Sequence, residues 1–314
     1  MTDNFRFTFE TPRVTGRRQQ KFQCPHCGRK SLVRYIDTFN GNCYVADEVG
    51  KCDHENSCGY HYRPSEYYCD HAWMQQGKSN SLLSTPNSQL KRSVPPPPPL
   101  QPLPMDYVAT FQSPRSTFWQ WFAGTCAAKL KLTPEHIRKV YEDYRIGCTK
   151  DRNVIFWQID RLFRLRTGKI MSYGTDGHRS GNLKWVHSEL IRLKLLNPQW
   201  PLYQCLFGEH LLASYPSKKV CLVESEKTAC IMAAISPEHL WLATGGSCGL
   251  TPEKVECLRG RRVIIFPDSG SYAKWEKKMQ LTTGIDYSID KSMESYPYNT
   301  DLADVLLSEA EHPP

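Results

Sequence analysis

Two sets of side chains in this sequence have the types and spacing to do chemistry. The first is made of thiols. Cys24-Pro25-His26-Cys27-Gly28 is a C-x2-C knuckle, and Cys52 and Cys58-Gly59 follow 25 and 31 residues after Cys27. A tight turn places both sulfurs of a knuckle on one side, and the Gly after the second Cys permits positive φ. Four sulfurs at about 2.3 Å then close a tetrahedral structural Zn²⁺ site. The second knuckle is C-x5-C, so His54 or Cys43 could replace one of its thiols; Cys43 and Cys69 otherwise read as spare. The second set is made of carboxylates. The apolar run Val220-Cys221-Leu222-Val223 ends at Glu224, and Arg262-Val263-Ile264-Ile265-Phe266 ends at Pro267-Asp268-Ser269-Gly270. Ligands of parallel α/β sheets bind in the crevice beyond the strand C-termini, so Glu224 and Asp268 are expected to converge there. Their oxygens suit Mg²⁺ or Mn²⁺.

Elements are needed to hold both sets, and the chain has the length for them. Its 314 residues suggest two or three compact units, and 40% hydrophobic with 23% charged residues excludes wholesale disorder or a fibrous fold. No apolar run reaches the roughly 18 residues of a membrane span, and the first residues lack the apolar core of a signal peptide. A soluble, cytoplasmic protein is expected. Its thirteen cysteines then point to thiols and metal ligation more than to disulfides.

Residues 1–70 read as a zinc-ribbon domain, too short for a hydrophobic core alone. Two strands, Ser31–Asp37 and Cys43–Asp47, are joined by a turn at Asn40-Gly41. Residues 71–104 are a Pro-rich linker ending in Pro95-Pro96-Pro97-Pro98-Pro99, Pro102 and Pro104, an extended polyproline segment. Residues 105–205 form an α+β middle domain. Its Phe111–Tyr144 part is helical, with Thr133 as N-cap and Pro134 at the first helical position. Strands follow at Val154–Asp160, Gly168–Tyr173 and Leu183–His187. Residues 206–314 form an α/β domain, with a further strand Leu240-Trp241-Leu242 before Ala243-Thr244-Gly245-Gly246-Ser247.

The four segments carry net charges of +1, +3, +8 and −4, so a basic middle adjoins an acidic C-terminal part. In the middle segment Arg152, Arg161, Arg164, Arg166, Lys169, Arg179 and Lys184 are spread among Trp157, Tyr173 and Trp185. Such residues would grip phosphates without sequence choice. The same residues also suit a solvated outer face. In the ribbon, Phe22, Arg29, Lys30, Arg34, Tyr35, Tyr60, His61, Tyr62 and Arg63 interleave aromatic and basic types, which suits single strands or, equally, the ribbon's own interior.

The C-terminal arrangement resembles the Toprim domain of bacterial and phage DNA primases and topoisomerases. The resemblance rests on Val223-Glu224-Ser225-Glu226-Lys227, on Thr244-Gly245-Gly246 and on Phe266-Pro267-Asp268, with Cys205-Leu206-Phe207-Gly208 similar to the segment preceding that domain in primases. In outline the chain also resembles primase-like proteins carried by mobile elements of Bacteroides-type bacteria. The resemblance implies a primase of mobile-element or phage-type DNA replication, with Glu224 and Asp268 as catalytic Mg²⁺ or Mn²⁺ ligands. Single-stranded DNA and nucleotides would be its partners, and Lys227 would join the nucleic-acid contacts. One departure stands out: Gly270 occupies the place of the family's second aspartate. Asp301 and Asp304, or Asp286 and Asp290, are candidates to compensate, although they read more simply as cap and surface acids. The alternatives are an accessory protein that binds nucleic acid without catalysis and a Toprim-type nuclease. No G-x-x-x-x-G-K-[ST] occurs, so a replicative helicase would be a separate protein.

Overall fold

The structure is a computed structural model that describes residues 6–11, 16, 19–38, 41–54, 57–68, 70, 98–246 and 249–311. Asn40 of the expected turn, the spare thiol Cys69, residues 71–97 of the expected linker, and Ser247 lie outside the described residues. The chain divides into two compact units, Met1–Thr85 with Tyr296–Asn299, and Pro86–Ser295 with Thr300–Pro314. Among the described residues no helix is long and apolar enough to cross a membrane.

The first unit is built on one strand. β1 (Phe7–Phe9), β2 (Phe22–Gln23), β3 (Lys30–Asp37), β4 (Cys43–Tyr44) and β5 (Gly50–Cys52) are all antiparallel to or paired with β3. β3 carries Leu32, Val33, Tyr35 and Ile36, residues that favour a pleated, half-buried surface. Its Leu32 faces Phe22 of β2 on one side and Cys52 of β5 on the other. That register brings Cys24, two residues after Phe22, close to Cys52. Of the two strands expected from sequence, the second shrinks to Cys43–Tyr44. Strands β1, β2 and β5 were not legible, because two or three residues are too few for alternation to show.

The second unit holds two sheets. Strands β6 (Gly147–Cys148), β7 (Val154–Ile159), β8 (Leu165–Met171) and β9 (Lys184–Trp185) form an antiparallel meander. Every residue of β7 is buried, so both its faces are covered. Strands β10 (Val220–Val223), β11 (Leu240–Ala243), β12 (Arg262–Ile265) and β13 (Asp286–Ile289) form a parallel sheet in the order β11-β10-β12-β13. The apolar runs of β10 and β11 are buried throughout, as strands covered on both faces are.

Of the helical segments over 106–143, Asp106–Phe111 and Thr117–Trp121 lie against β6 and β7, while Pro134–Asp143 packs on the helix Glu226–Ile235. Thr133 Oγ1 accepts the amide of His136 and Pro134 opens the helix Pro134–Asp143, the cap chemistry expected from sequence. The third expected strand stops at Trp185, and the helix Val186–Arg192 begins where it was to continue. Val186 and Leu190, four apart, are the buried residues of that helix.

The middle and C-terminal segments, expected as separate domains, share one core. Phe118, Phe156 and Phe207 cluster with Leu222, Val223 and Leu242. Phe156 meets Phe207 edge-on at 5.5 Å, and Tyr144 Oη donates to the Trp241 carbonyl at 2.6 Å. Truncating a fully buried Phe such as Phe156 is worth about 3–5 kcal/mol.

Candidate functional site

The four cysteines Cys24, Cys27, Cys52 and Cys58 come together, with all their sulfurs within 4.8 Å of one another. A tetrahedron with bonds of about 2.3 Å has edges of roughly 3.8 Å. Cys24 Sγ lies 3.7 Å from Cys58 Sγ, and Cys27 Sγ lies 3.9 Å from Cys52 Sγ. The residues therefore fit zinc in spacing and in kind. Gly28 and Gly59 take φ of +69° and +66°, the left-handed turns that follow each knuckle's last cysteine.

Burial, and then the neighbouring thiols, push Cys58 up to about 12, whereas the Arg29 amide draws Cys27 down to about 7. Ser31 Oγ lies 3.1 Å from Cys52 Sγ and His26 Nδ1 lies 3.3 Å from Cys58 Sγ, so both can hydrogen-bond a coordinated sulfur. His54, a possible substitute ligand, stands beside Cys52 Sγ at 3.7 Å, and Cys43 is exposed on β4. Apart from Leu32, the buried members of the cluster around the site are the cysteines Cys24, Cys52 and Cys58. Cohesion around the knuckles therefore falls to the metal, with Val33, Ile36 and Val49 the buried apolar residues elsewhere in the unit.

Several aromatic and basic residues expected to meet nucleic acid are used inside the ribbon. The Arg34 guanidinium lies 3.7 Å over the Phe22 ring and pairs with Asp47 at 2.9 Å. Tyr35 Oη meets His61 Nε2 at 2.9 Å, Tyr60 Oη donates to the Glu48 carbonyl and Tyr62 Oη to Asp70. Arg29, Lys30 and Arg63 are exposed.

The carboxylates lie at the other chemical centre. In the parallel sheet β11-β10-β12-β13 the chain leaves β10 to one side for β11, then crosses to the other for β12. The gap between β10 and β12 is thus the topological switch point, where a crevice opens beyond the strand ends. Leu222 pairs with Ile265, which places Glu224 level with Pro267 and next to Asp268. Thr244 and Gly245 follow β11 at the same level, and the amides of Gly245 and Gly246 donate to the Glu224 carbonyl at 3.0 and 3.1 Å.

The helix Leu302–Glu311 brings two further acids. Asp301 accepts the Asp304 amide at 2.9 Å and the Asp304 carboxylate accepts the Asp301 amide at 3.3 Å, a reciprocal cap. Asp301 also accepts Thr228 Oγ1 at 2.7 Å, and Asp304 pairs with Lys227 at 3.3 Å. Burial holds Asp268 well above the usual carboxylate range, and the negative charges of Glu224, Asp301 and Asp304 push it further, against the pull of Lys227. Four carboxylates facing one lysine form a cluster that a hard cation would relieve, and their oxygens are the donors such a cation takes. Asp286 starts β13, at the far end of the sheet, and Asp290 caps Ser292 at 2.8 Å. Gly270, exposed with φ of +82°, donates its amide to Glu294 at 3.0 Å.

The basic residues of the middle segment divide into tied and open ones. Asp160 is buried at the end of β7 and accepts the amides of Leu162 and Arg164 at 2.9 and 3.0 Å. Its other oxygen takes Arg164 Nε and Arg166 Nε, both at 2.8 Å. Burial alone would raise Asp160, but the Arg164 amide and the two guanidinium groups outweigh it and hold the carboxyl below its ordinary value. Arg164 and Arg166 are therefore anchored. Lys169 is buried: its Nζ lies 2.9 Å from Glu226 and 2.9 Å from the Gly245 carbonyl, away from any open face. Arg161, Arg179 and Lys184 are exposed, while Trp157 and Tyr173 lie in the core. Sequence reasoning missed Asp160, although its spacing to Arg164 and Arg166 around a hairpin was the signal. It also missed Glu209, which is buried and accepts the Arg161 amide at 3.1 Å.

Two families match parts of the chain. One, described as a zinc β-ribbon finger, matches residues 5–73, and the other, a domain of unknown function called DUF6371, matches residues 116–269. No curated protein matches the sequence. Among solved structures, the Aquifex aeolicus primase, comprising zinc-binding and RNA polymerase domains, is similar at 14% identity and a TM-score of 0.44. That match covers 65% of this chain and 56% of the Aquifex chain. A DnaG primase catalytic domain bound to ssDNA is similar at 15% identity and a TM-score of 0.41, covering 65% of this chain and 72% of that one. The RNA polymerase domain of Mycobacterium tuberculosis primase DnaG is similar at 12% identity and a TM-score of 0.39, covering 65% and 80%.

Proposed function

We propose that the second unit is a primase-type, Toprim-like core that joins ribonucleotides on a single-stranded DNA template in mobile-element or phage-type replication. The observation that supports this best is the meeting of Glu224 and Asp268 at the switch point of a parallel sheet, with Asp301 and Asp304 close enough to raise Asp268. Glu224 and Asp268 would hold Mg²⁺ or Mn²⁺, with Asp301 and Asp304 adding charge in place of the acid missing at Gly270. Such a cation supplies charge stabilisation to a transferring phosphoryl group. The chain's own part is to fix the carboxylates, exclude bulk water from Asp268 and present cations to a phosphate backbone. Arg161, Arg179 and Lys184 are the open candidates for that contact, with Lys227 at the mouth and Arg164 and Arg166 set by Asp160. A separate helicase would open the duplex.

Gly270 favours a second reading, a nucleic-acid-binding protein without catalysis, because the place of the second carboxylate is a left-handed turn. Metal-dependent primer synthesis on single-stranded template separates the two. The proposal expects activity in the parent and its loss in Glu224→Gln and Asp268→Asn. Single-strand binding without synthesis supports the second reading, and equal activity in parent and both variants removes the site.

A further inference from the structure

Lys169 and Glu226 lie 57 residues apart, one on β8 of the meander and the other in the first turn of the helix Glu226–Ile235, and both are buried. A buried ion pair is costly unless its remaining protons and lone pairs are also used. Here the ammonium's second acceptor is the Gly245 carbonyl at 2.9 Å. The same glycine turn clamps the carbonyl of Glu224 through the amides of Gly245 and Gly246. The packing is close, since a Cβ on Gly245 would lie 3.1 Å from Glu226 Oε1. On β7, Gln158 is 1% exposed with neither side-chain amide atom partnered, and its Nε2 would lie 3.8 Å from that Cβ. An interface serving cohesion alone would be apolar here. This one keeps three polar side chains around a single backbone turn.

We propose that Lys169 is a positioning residue for the carboxylate mouth, acting from the antiparallel sheet through Gly245 on Glu224. The proposal rests on the reading that Glu224 and Asp268 hold a divalent cation. It requires Lys169 to govern where Glu224 sits as well as how firmly the two sheets hold together.

The deciding variant is Lys169→Met with Glu226→Met in the full chain, because Lys169→Met alone strands the Glu226 carboxylate. Removing both charges at similar volume tends to leave stability near the parent's. Two readouts are needed: Mn²⁺ affinity by titration, and hydrogen exchange at the Gly245 and Gly246 amides. The expected result is a fold as stable as the parent's, a roughly 10–100-fold loss of Mn²⁺ affinity, and loss of protection at those two amides with β12 unchanged. Parental affinity and protection in the double variant would overturn the proposal. A parent that binds no Mn²⁺ would end the cation reading, yet amide protection would still decide the role of Lys169, its loss supporting the role and its retention refuting it. Should the double variant not fold, Lys169→Arg keeps a charge beside Glu226 with a differently shaped head. Unchanged readouts there would also refute positioning through Gly245.

Discussion

The zinc knuckles and the carboxylate mouth assemble ligands in opposite ways. Four thiols come from residues 24–58 and stand at tetrahedral spacing, held by two turns and by the register of one strand. Four carboxylates come from residues 224–304, at the ends of two strands and the start of a late helix, and burial together with the charge of the other three raises the proton affinity of Asp268. Among the described residues, only the cysteines gather three or more candidate ligand atoms within 4.8 Å. The difference teaches that the first site supplies most of the buried cluster around it, in a unit with few other buried side chains, whereas the second is imposed on a unit that has a large core already. Metal at the first is folding energy. Charge at the second is a standing cost that a cation would relieve.

The largest expected effect follows from the first half of that contrast. A structural zinc contributes about 10–16 kcal/mol in small metal-held domains, as much as or more than the roughly 5–15 kcal/mol of a whole domain's stability. Cys58→Ser, or chelation of the parent, is expected to unfold the first unit and leave the parallel sheet intact. Hydrogen exchange read separately over β3 and β10 checks this. A first unit still protected without metal would erase the distinction between the sites.

Next in size is Asp268→Asn. The folded carboxyl is raised above its unfolded value, so the folded state binds the extra proton and stability of the metal-free chain increases as pH falls through the folded value. Removing the charge should therefore raise the melting temperature of the metal-free protein at neutral pH, with the advantage shrinking in acid. Mg²⁺ at a hundred times its dissociation constant should stabilise the parent by about 2.7 kcal/mol and the variant by much less. A variant that melts below the parent at both pH values would show that the mouth stores no repulsion.

The two sites also differ in how far they could be read from sequence. Cys24, Cys27, Cys52 and Cys58 were legible because each knuckle is set by a turn of a few residues closed by Gly28 or Gly59, although the strand register that joins the two knuckles was not. Glu224 and Asp268 were legible as acids closing apolar strands. What packs against them was not: Lys169 looked like one more surface cation, and only the docking of the meander on the helix Glu226–Ile235 shows it buried. Asp301 and Asp304 read as a helix cap and are one, yet the same helix end also stands beside Asp268, which local pattern cannot show. Asp160 was hidden for the converse reason, since its partners lie nearby but its burial depends on the hairpin folding over it.

A smaller effect would sharpen the zinc half. Ser31 Oγ lies 3.1 Å from Cys52 Sγ, so Ser31→Ala should weaken zinc about tenfold through the lost hydrogen bond while the unit stays folded. Competition with a chelator of known affinity measures it. An unchanged affinity would mean that the sulfurs alone set the site.

The smallest effect concerns the missing acid. Gly270→Asp restores a carboxylate two residues after Asp268, but the backbone there has φ of +82°, which an L-residue adopts at a cost of roughly 1–2 kcal/mol. The new side chain would start from an exposed turn whose amide, with that of Tyr272, is held by Glu294, so it would meet like charge before reaching the mouth. If Asp301 and Asp304 already supply the charge lost at this position, the variant should bind Mn²⁺ within about twofold of the parent, a change near the size of thermal energy. Its melting temperature should fall by roughly 2–8 °C. A tenfold gain in affinity would instead show that the carboxylate set is incomplete. The mouth would then differ from the zinc site in lacking a ligand, and not only in how its ligands are brought together.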